Sequence, residues 1–156
     1  MKLEIGSQAP EFALYDTDKN KVSLSDLKGQ NVVLLFFPMA FTSVCTTELC
    51  SVRDNIGTYN SLNAKVFGIS VDSPFTLGKF KADQNLNFSL LSDFNKEAST
   101  AYGTIYTEFV LELKGVSKRS AFVLDKEGVV RYAEVLEKAS DVPDFQAVKT
   151  TLEGLN

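Results

Sequence analysis

Asn31-Val32-Val33-Leu34-Leu35-Phe36-Phe37-Pro38-Met39-Ala40-Phe41-Thr42-Ser43-Val44-Cys45 is the stretch that decides the fold. Asn31 to Phe37 is a run of Val, Leu and Phe, as expected for a central strand buried on both faces. Pro38 ends it, because proline has no amide hydrogen to give a ladder. Thr42 or Ser43 then offers an N-cap. Helical periodicity follows from about Val44 to Leu62. Cys45 therefore falls on the first turn of a helix that starts just beyond a buried strand. Unpaired amides at such an end carry partial positive charge and favour a thiolate. The plainer reading is a small buried hydrophobe, a common fate of free cysteine. The residues by themselves leave both open.

On the N-terminal side of that stretch, Glu11 to Tyr15 alternates apolar and polar residues, Asp16 to Asn20 is rich in turn formers, and Lys21 to Leu24 follows, which reads as an N-terminal β-hairpin. Ser25 to Gly29 reads as a short capped turn. Lys65 to Val71 is a second strong strand, and Ser73-Pro74 opens the next helix with proline in its first turn. Phe88 to Leu91 is a short strand before a helix near Asn95 to Tyr102. Ala121 to Leu124 and Val129 to Val135 flank Asp125-Lys126-Glu127-Gly128, a hairpin signature. Val142-Pro143 opens a last amphipathic helix reaching about Leu152. From Gly103 to Lys118 two readings remain: Phe109-Val110-Leu111 is an edge strand, or part of a long loop beside the site. The order predicts an α/β fold, a central mixed β-sheet flanked by helices. No repeat, low-complexity tract or linker divides the 156 residues, so a single domain over 1–156 is expected.

Composition narrows the chemistry. The net charge of -4 argues against a general nucleic-acid binder. No apolar run approaches the roughly 20 residues needed to cross a bilayer, so no membrane partner is expected. Met1 to Phe12 lacks the apolar centre of a secretory signal, and a cytoplasmic location is expected. The absence of histidine removes histidine dyads, bases and metal ligands. With only two cysteines, Cys45 and Cys50, one chain cannot build a four-thiolate metal site. No metal or cofactor is expected, and a transition-metal binder is disfavoured. Thiol chemistry here must rely on backbone dipoles and on arginine or lysine.

Pro38, Thr42 and Cys45 match the pattern P-x-x-x-T-x-x-C, in its strand-to-helix setting, and here the chain resembles the peroxiredoxin family of thiol peroxidases. The likeness extends along the chain. Gly6-Ser7-Gln8-Ala9-Pro10-Glu11-Phe12 is similar to the family's G-x-x-A-P-x-F opening. Ser70-Val71-Asp72 resembles the end of the strand after the catalytic helix. Arg119-Ser120-Ala121-Phe122-Val123-Leu124-Asp125 resembles the strand carrying the family's arginine. The resemblance implies a thioredoxin-like fold in which Cys45 attacks a hydroperoxide and becomes a sulfenic acid. It implies that Thr42 binds peroxide oxygen, Pro38 shields the thiolate, and Arg119 stabilises thiolate and transition state. Glu48 matches a position that orients the arginine; a solvated surface glutamate is the alternative. Thr42 also reads as a plain N-cap and Pro38 as a plain strand terminator. Arg53 reads as a surface ion-pair partner.

Cys50 raises the question of how the sulfenic acid is resolved. In an ideal helix the Cα atoms of residues five apart lie about 8.6 Å from one another, with side chains about 140° apart around the axis. A disulfide needs less than roughly 7 Å, so a Cys45–Cys50 bridge requires the helix to unwind. Cys-Thr-Thr-Glu-Leu-Cys matches the C-x-x-x-x-C arrangement of the bacterioferritin-comigratory-protein subgroup, where the second cysteine resolves. The flanking Phe-Phe-Pro-Met-Ala-Phe-Thr and Glu-Leu segments resemble the AhpE-like subgroup, many of whose members lack that cysteine. Cys50 is therefore a resolving cysteine or a bystander, with resolution by an external thiol in the second case. By resemblance a thioredoxin- or glutaredoxin-like protein supplies electrons. The rivals are a thioredoxin-like disulfide carrier, which usually needs a C-x-x-C pair that Thr42 displaces, and a non-catalytic redox relay. Met39 and Phe41 line a homodimer contact or pack in the core.

Overall fold

The computed structural model describes residues 3–156, with Cys45 described by its backbone alone. Seven strands form one sheet: β1 Ala13–Asp16, β2 Lys21–Ser23, β3 Asn31–Phe36, β4 Ala64–Ser70, β5 Ser89–Ser92, β6 Ser120–Leu124 and β7 Val130–Val135. Their spatial order is β2-β1-β5-β4-β3-β6-β7. The central β5-β4-β3 pairings are parallel; β6 and β7 continue antiparallel on one side, β1 and β2 on the other. The sheet is mixed, as the order of strands and helices predicts.

β3 is buried at every position, so alternate side chains serve two cores. Val33, Leu35 and Phe37 point into a layer with Leu49, Val52, Leu77, Phe80 and Val148. That face is covered by α1 Ser43–Asp54, α2 Ile56–Ser61, α3 Pro74–Gln84 and α5 Phe145–Gly154. Val32, Leu34 and Phe36 point the other way, toward Phe12, Leu24 and Tyr102, under α4 Glu97–Ala101 and the N-terminal segment. There Tyr102 stacks edge-on against Phe122 at 5.3 Å and donates its hydroxyl to the Pro10 carbonyl at 2.8 Å. The second core thus ties down the opening segment that the sequence singled out. Gly68 in β4 is required by packing: a Cβ there would lie 2.7 Å from Cδ2 of Leu90.

The structure departs from the sequence reading at two helix ends and decides between the two readings of Gly103 to Lys118 in favour of a loop. The helix expected from Val44 to Leu62 is two helices, because Asn55 leaves helical geometry at φ -115°, ψ 14° and its side chain donates to the Ser51 carbonyl at 2.8 Å. Between Gly103 and Lys118 there is no edge strand. The segment folds back on itself through an Ile105–Ser117 bridge, and a short 3-10 turn at Val110–Glu112 holds Leu111 and Glu112 at positive φ. The last helix starts at Phe145, because Asp144 caps it by accepting from the Ala147 amide at 3.0 Å; Val142 and Pro143 precede that cap. No helix among the described residues is long and apolar enough to cross a membrane.

Candidate active site

Parallel pairing puts the C-terminal ends of β3, β4 and β5 along one edge, the usual place for a site in such sheets. β6 runs antiparallel to β3, with Ser120 opposite Phe36. Its first residue therefore lies at the same edge, and Arg119, one residue earlier, stands beside the Phe37-Pro38 turn. Register alone brings together residues some eighty positions apart in sequence.

Pro38 is buried at the start of that turn. Thr42 is the N-cap of α1, yet among the described residues its side chain accepts no amide hydrogen. Its hydroxyl instead donates to the Met39 carbonyl at 3.0 Å, while its own carbonyl receives the Thr46 amide. The plain capping role is thus replaced by a bond that fixes the hydroxyl over the turn. The first turn of α1 holds no acidic residue to offset its positive end. Cys45 is the third residue of this helix; its sulfur, the centre of the sequence argument, lies outside the described residues.

Glu48 lies one turn further along the same helical face and is 1% exposed. Its Oε1 accepts Nη1 of Arg119 at 2.8 Å, and both side chains are buried. Nη2 of Arg119 donates to the Ala139 carbonyl at 2.9 Å. The guanidinium is thereby aimed at α1 by two partners. Burial pushes the Glu48 carboxyl up to about 7, against the pull of Arg119, so loss of hydration outweighs the ion pair. The solvated-surface reading of Glu48 does not fit this geometry. Tyr59, packed in the same layer, is pushed up to about 12 by burial first and then by the Glu48 charge.

Cys50 is half-buried on the unbroken α1, with Sγ 3.5 Å from Oε1 of Gln84. Arg53 pairs with Asp54 at 3.0 Å, as expected for a surface residue, but its Nη1 also donates to the Gln84 carbonyl at 2.5 Å. Phe41 stays 51% exposed, with its ring 5.1 Å from that of Phe80, and so is not ordinary core. Among the described residues no group of three or more metal-ligating side chains converges.

Comparison with known proteins agrees with this architecture. The family model described as the AhpC/TSA family matches residues 5–133. The chain belongs to the AhpC/TSA family. It is a peroxiredoxin, an enzyme of the thiol peroxidase class. A putative peroxiredoxin of Mycobacterium tuberculosis is 41% identical over 141 residues, covering 89% of each chain. Peroxiredoxin Bcp of Bacillus subtilis is 40% identical over 130 residues, covering 82% of each. The crystal structure of peroxidoxin BcpB from Mycobacterium tuberculosis superposes with a TM-score of 0.87 at 28% identity, covering 99% of each chain. The fold is accordingly the thioredoxin-like fold of the peroxiredoxins, as the resemblance implied.

Within this peroxiredoxin fold, Pro38, Thr42, Glu48 and Arg119 gather around the start of α1, whereas Cys50 faces α3. Asp72, which the sequence marks only as the end of the Ser70-Val71-Asp72 resemblance and to which it assigns no role, also joins the site. Asp72 accepts the Ala40 amide at 2.8 Å. Its setting, a Ser-Val-Asp-Ser turn between strand and helix, reads locally as nothing more than a helix start.

Proposed function

We propose that this peroxiredoxin reduces hydrogen peroxide or organic hydroperoxides with Cys45 as nucleophile. The observation that carries the reading is the buried Arg119–Glu48 pair set against the first turns of α1, beside the Pro38 turn. A fixed cation and unpaired helix amides together lower a thiol's pKa and stabilise charge on peroxide oxygen. The Cys45 thiolate attacks the distal oxygen. An S–O bond forms as the O–O bond breaks, sulfur loses two electrons, and the departing oxygen takes a proton to leave as alcohol or water. Thr42 orients the peroxide through its hydroxyl, which still has lone pairs to accept the peroxide proton. Pro38 keeps water from the thiolate. Glu48 holds Arg119 in place.

Cys50 then attacks the Cys45 sulfenic sulfur, releasing water and forming an intramolecular disulfide after the first turns of α1 unwind. A thioredoxin- or glutaredoxin-like dithiol returns the pair to the reduced state. A reducing, cytoplasmic setting suits that cycle. The exposed Phe41 ring favours a homodimer contact at this turn. A second reading has its own support: the intact helix and the half-buried Cys50 favour direct reduction of the sulfenic acid by an external thiol.

The test is peroxide-dependent oxidation of the parent, Cys45→Ser and Cys50→Ser, followed by dimedone trapping and mass spectrometry. The parent should yield a Cys45–Cys50 linkage, and Cys50→Ser a dimedone adduct on Cys45. A persistent adduct on the parent selects the external-thiol route. Peroxide consumption by Cys45→Ser at the parent's rate removes the assignment altogether. Reaction of the parent at only the rate of free cysteine favours the disulfide carrier.

A further inference from the structure

The turn joining β3 to α1 is tied to the neighbouring strands by a residue outside the P-x-x-x-T-x-x-C motif. The Ala40 N–H donates to Oδ2 of Asp72 at 2.8 Å. The Ser70 hydroxyl donates to the same oxygen at 2.6 Å, and the Asp72 N–H returns to Oγ of Ser70 at 3.2 Å. The Asp72 carbonyl in turn accepts the Ser92 hydroxyl at 2.6 Å. Ser70 and Ser92 end β4 and β5, so Asp72 is held by its carboxylate on one strand and by its carbonyl on the next, and its carboxylate reaches across to the turn after the third.

What it holds is a strained turn. Phe41 follows Ala40 and sits at φ +69°, the left-handed region that side chains other than glycine rarely adopt. Such a residue persists only where its surroundings over-determine it. The supports here are the Ala40–Asp72 bond on one side and the Phe41 ring against Phe80 at 5.1 Å. Thr42 comes next, with its hydroxyl on the Met39 carbonyl at 3.0 Å, and α1 begins immediately after. Any relaxation of Phe41 displaces the Thr42 hydroxyl and the first amides of α1 together.

We infer that Asp72 is a positioning residue: by binding the Ala40 amide it holds the Met39-Ala40-Phe41 turn in the form that presents Thr42 and the start of α1 to peroxide, and restrains the unwinding that lets Cys50 reach Cys45. It touches no substrate. Its loss acts on the two steps with opposite sign, slowing oxidation, which needs the turn formed, and speeding disulfide formation, which needs it released. Only the second of these effects rests on the proposed two-cysteine cycle.

Rapid-quench mass spectrometry with hydrogen peroxide separates the steps. Asp72→Ala is expected to lower the second-order oxidation of Cys45 by about tenfold or more, as small misplacements at a reacting centre do, and to raise the first-order rate of disulfide formation. Asp72→Asn keeps an acceptor oxygen for the Ala40 amide and should stay near the parent. Ser70→Ala, which removes one support of the carboxylate, should move both rates in the same directions by less, and serves if Asp72→Ala fails to fold. Val123→Ala truncates the core away from the turn and should lower the melting temperature without splitting the two rates. Oxidation unchanged in folded Asp72→Ala overturns the inference, as does an equal split in Val123→Ala or an Asp72→Asn as slow as Asp72→Ala. If the parent forms no disulfide, the two-cysteine reading fails and the oxidation rates alone decide the role of Asp72.

Discussion

Glu48 is a carboxyl group buried with one cation, and its proton affinity makes the molecule pH-sensitive near neutrality. In the folded chain it keeps its proton up to about 7, against an ordinary value of 4.5. Between those values the folded state binds more protons than the unfolded state, so stability falls as pH rises. The contribution is fully present below the unfolded value and is lost by the time pH passes the folded one; it amounts to up to about 3 kcal/mol. Urea unfolding from pH 4.5 to 8 should show that decline in the parent and a flatter profile in Glu48→Gln. A difference between the two that does not change with pH would show that Glu48 does not titrate there. Thr42 makes a different prediction. Thr42→Val keeps the shape and loses the hydroxyl, and should slow peroxide oxidation on the order of 100-fold, with Thr42→Ser restoring most of the rate. The same loss in Thr42→Ser would show that the hydroxyl is not the group that matters. At this scale the sequence exposes residues whose role is local. Pro38 and Thr42 stand within one short motif, next to Cys45. Burial of Glu48 is not legible, because it is created by Arg119, 71 positions away. The part played by Asp72 is hidden likewise, since its partner Ala40 lies on another strand's turn.

Helix α1 is the element on which the proposed cycle turns. Its two cysteines are too far apart while it is intact, so oxidation must unwind its first turns. The far end is anchored: Nη1 of Arg53 donates to the Gln84 carbonyl at 2.5 Å, and Nδ2 of Asn87 donates to the Arg53 carbonyl at 3.2 Å. Unwinding should therefore stop short of Arg53. Amide hydrogen exchange on the disulfide form should show lost protection over residues 46–51, with α2 and β4 unchanged. Unchanged protection over 46–51, in material carrying a Cys45–Cys50 linkage, would rule out the unwinding. The existence of α1 follows from the proline stop and the periodicity after it. Its end at Asn55 does not, because Ile56 and Tyr59 continue the apolar period and the break is made by one side chain bonding back to Ser51. The turn at Val110–Glu112 is equally obscure in sequence. Two consecutive residues with positive φ, Leu111 and Glu112, run against their intrinsic preference, and the Phe109 amide bonded to the Leu113 carbonyl at 2.6 Å closes the turn around them.

The whole molecule is one sheet with a core on each face, and that arrangement sets the energetic consequence of oxidation. β3 was legible as its centre because residues on both faces of it are apolar; the strand order and register were not, since pairing joins segments far apart in sequence. The helical face is the one the cycle disturbs. Leu49 is fully buried there between the two cysteines, and Glu48 pairs with Arg119 across the layer. Closing a disulfide over so short a loop stabilises by about 2 kcal/mol through the unfolded chain. Against this, exposing a buried leucine costs about 1.5–3 kcal/mol. Withdrawing Glu48 from the buried Arg119 guanidinium, which stays behind at the sheet edge, costs about 3–5 kcal/mol more, because it leaves a buried charge without its carboxyl partner. The losses exceed the gain, so the disulfide form should be less stable than the reduced form, the reverse of an ordinary structural disulfide. A chain of this length loses roughly 2–4 °C in melting temperature per kcal/mol, which places the disulfide form on the order of 10 °C below the dithiol. Calorimetry on peroxide-oxidised and fully reduced protein measures the difference directly. A disulfide form that melts at or above the reduced one would mean that α1 and its ion pair survive oxidation, and that the restraint assigned to the turn before it opposes nothing.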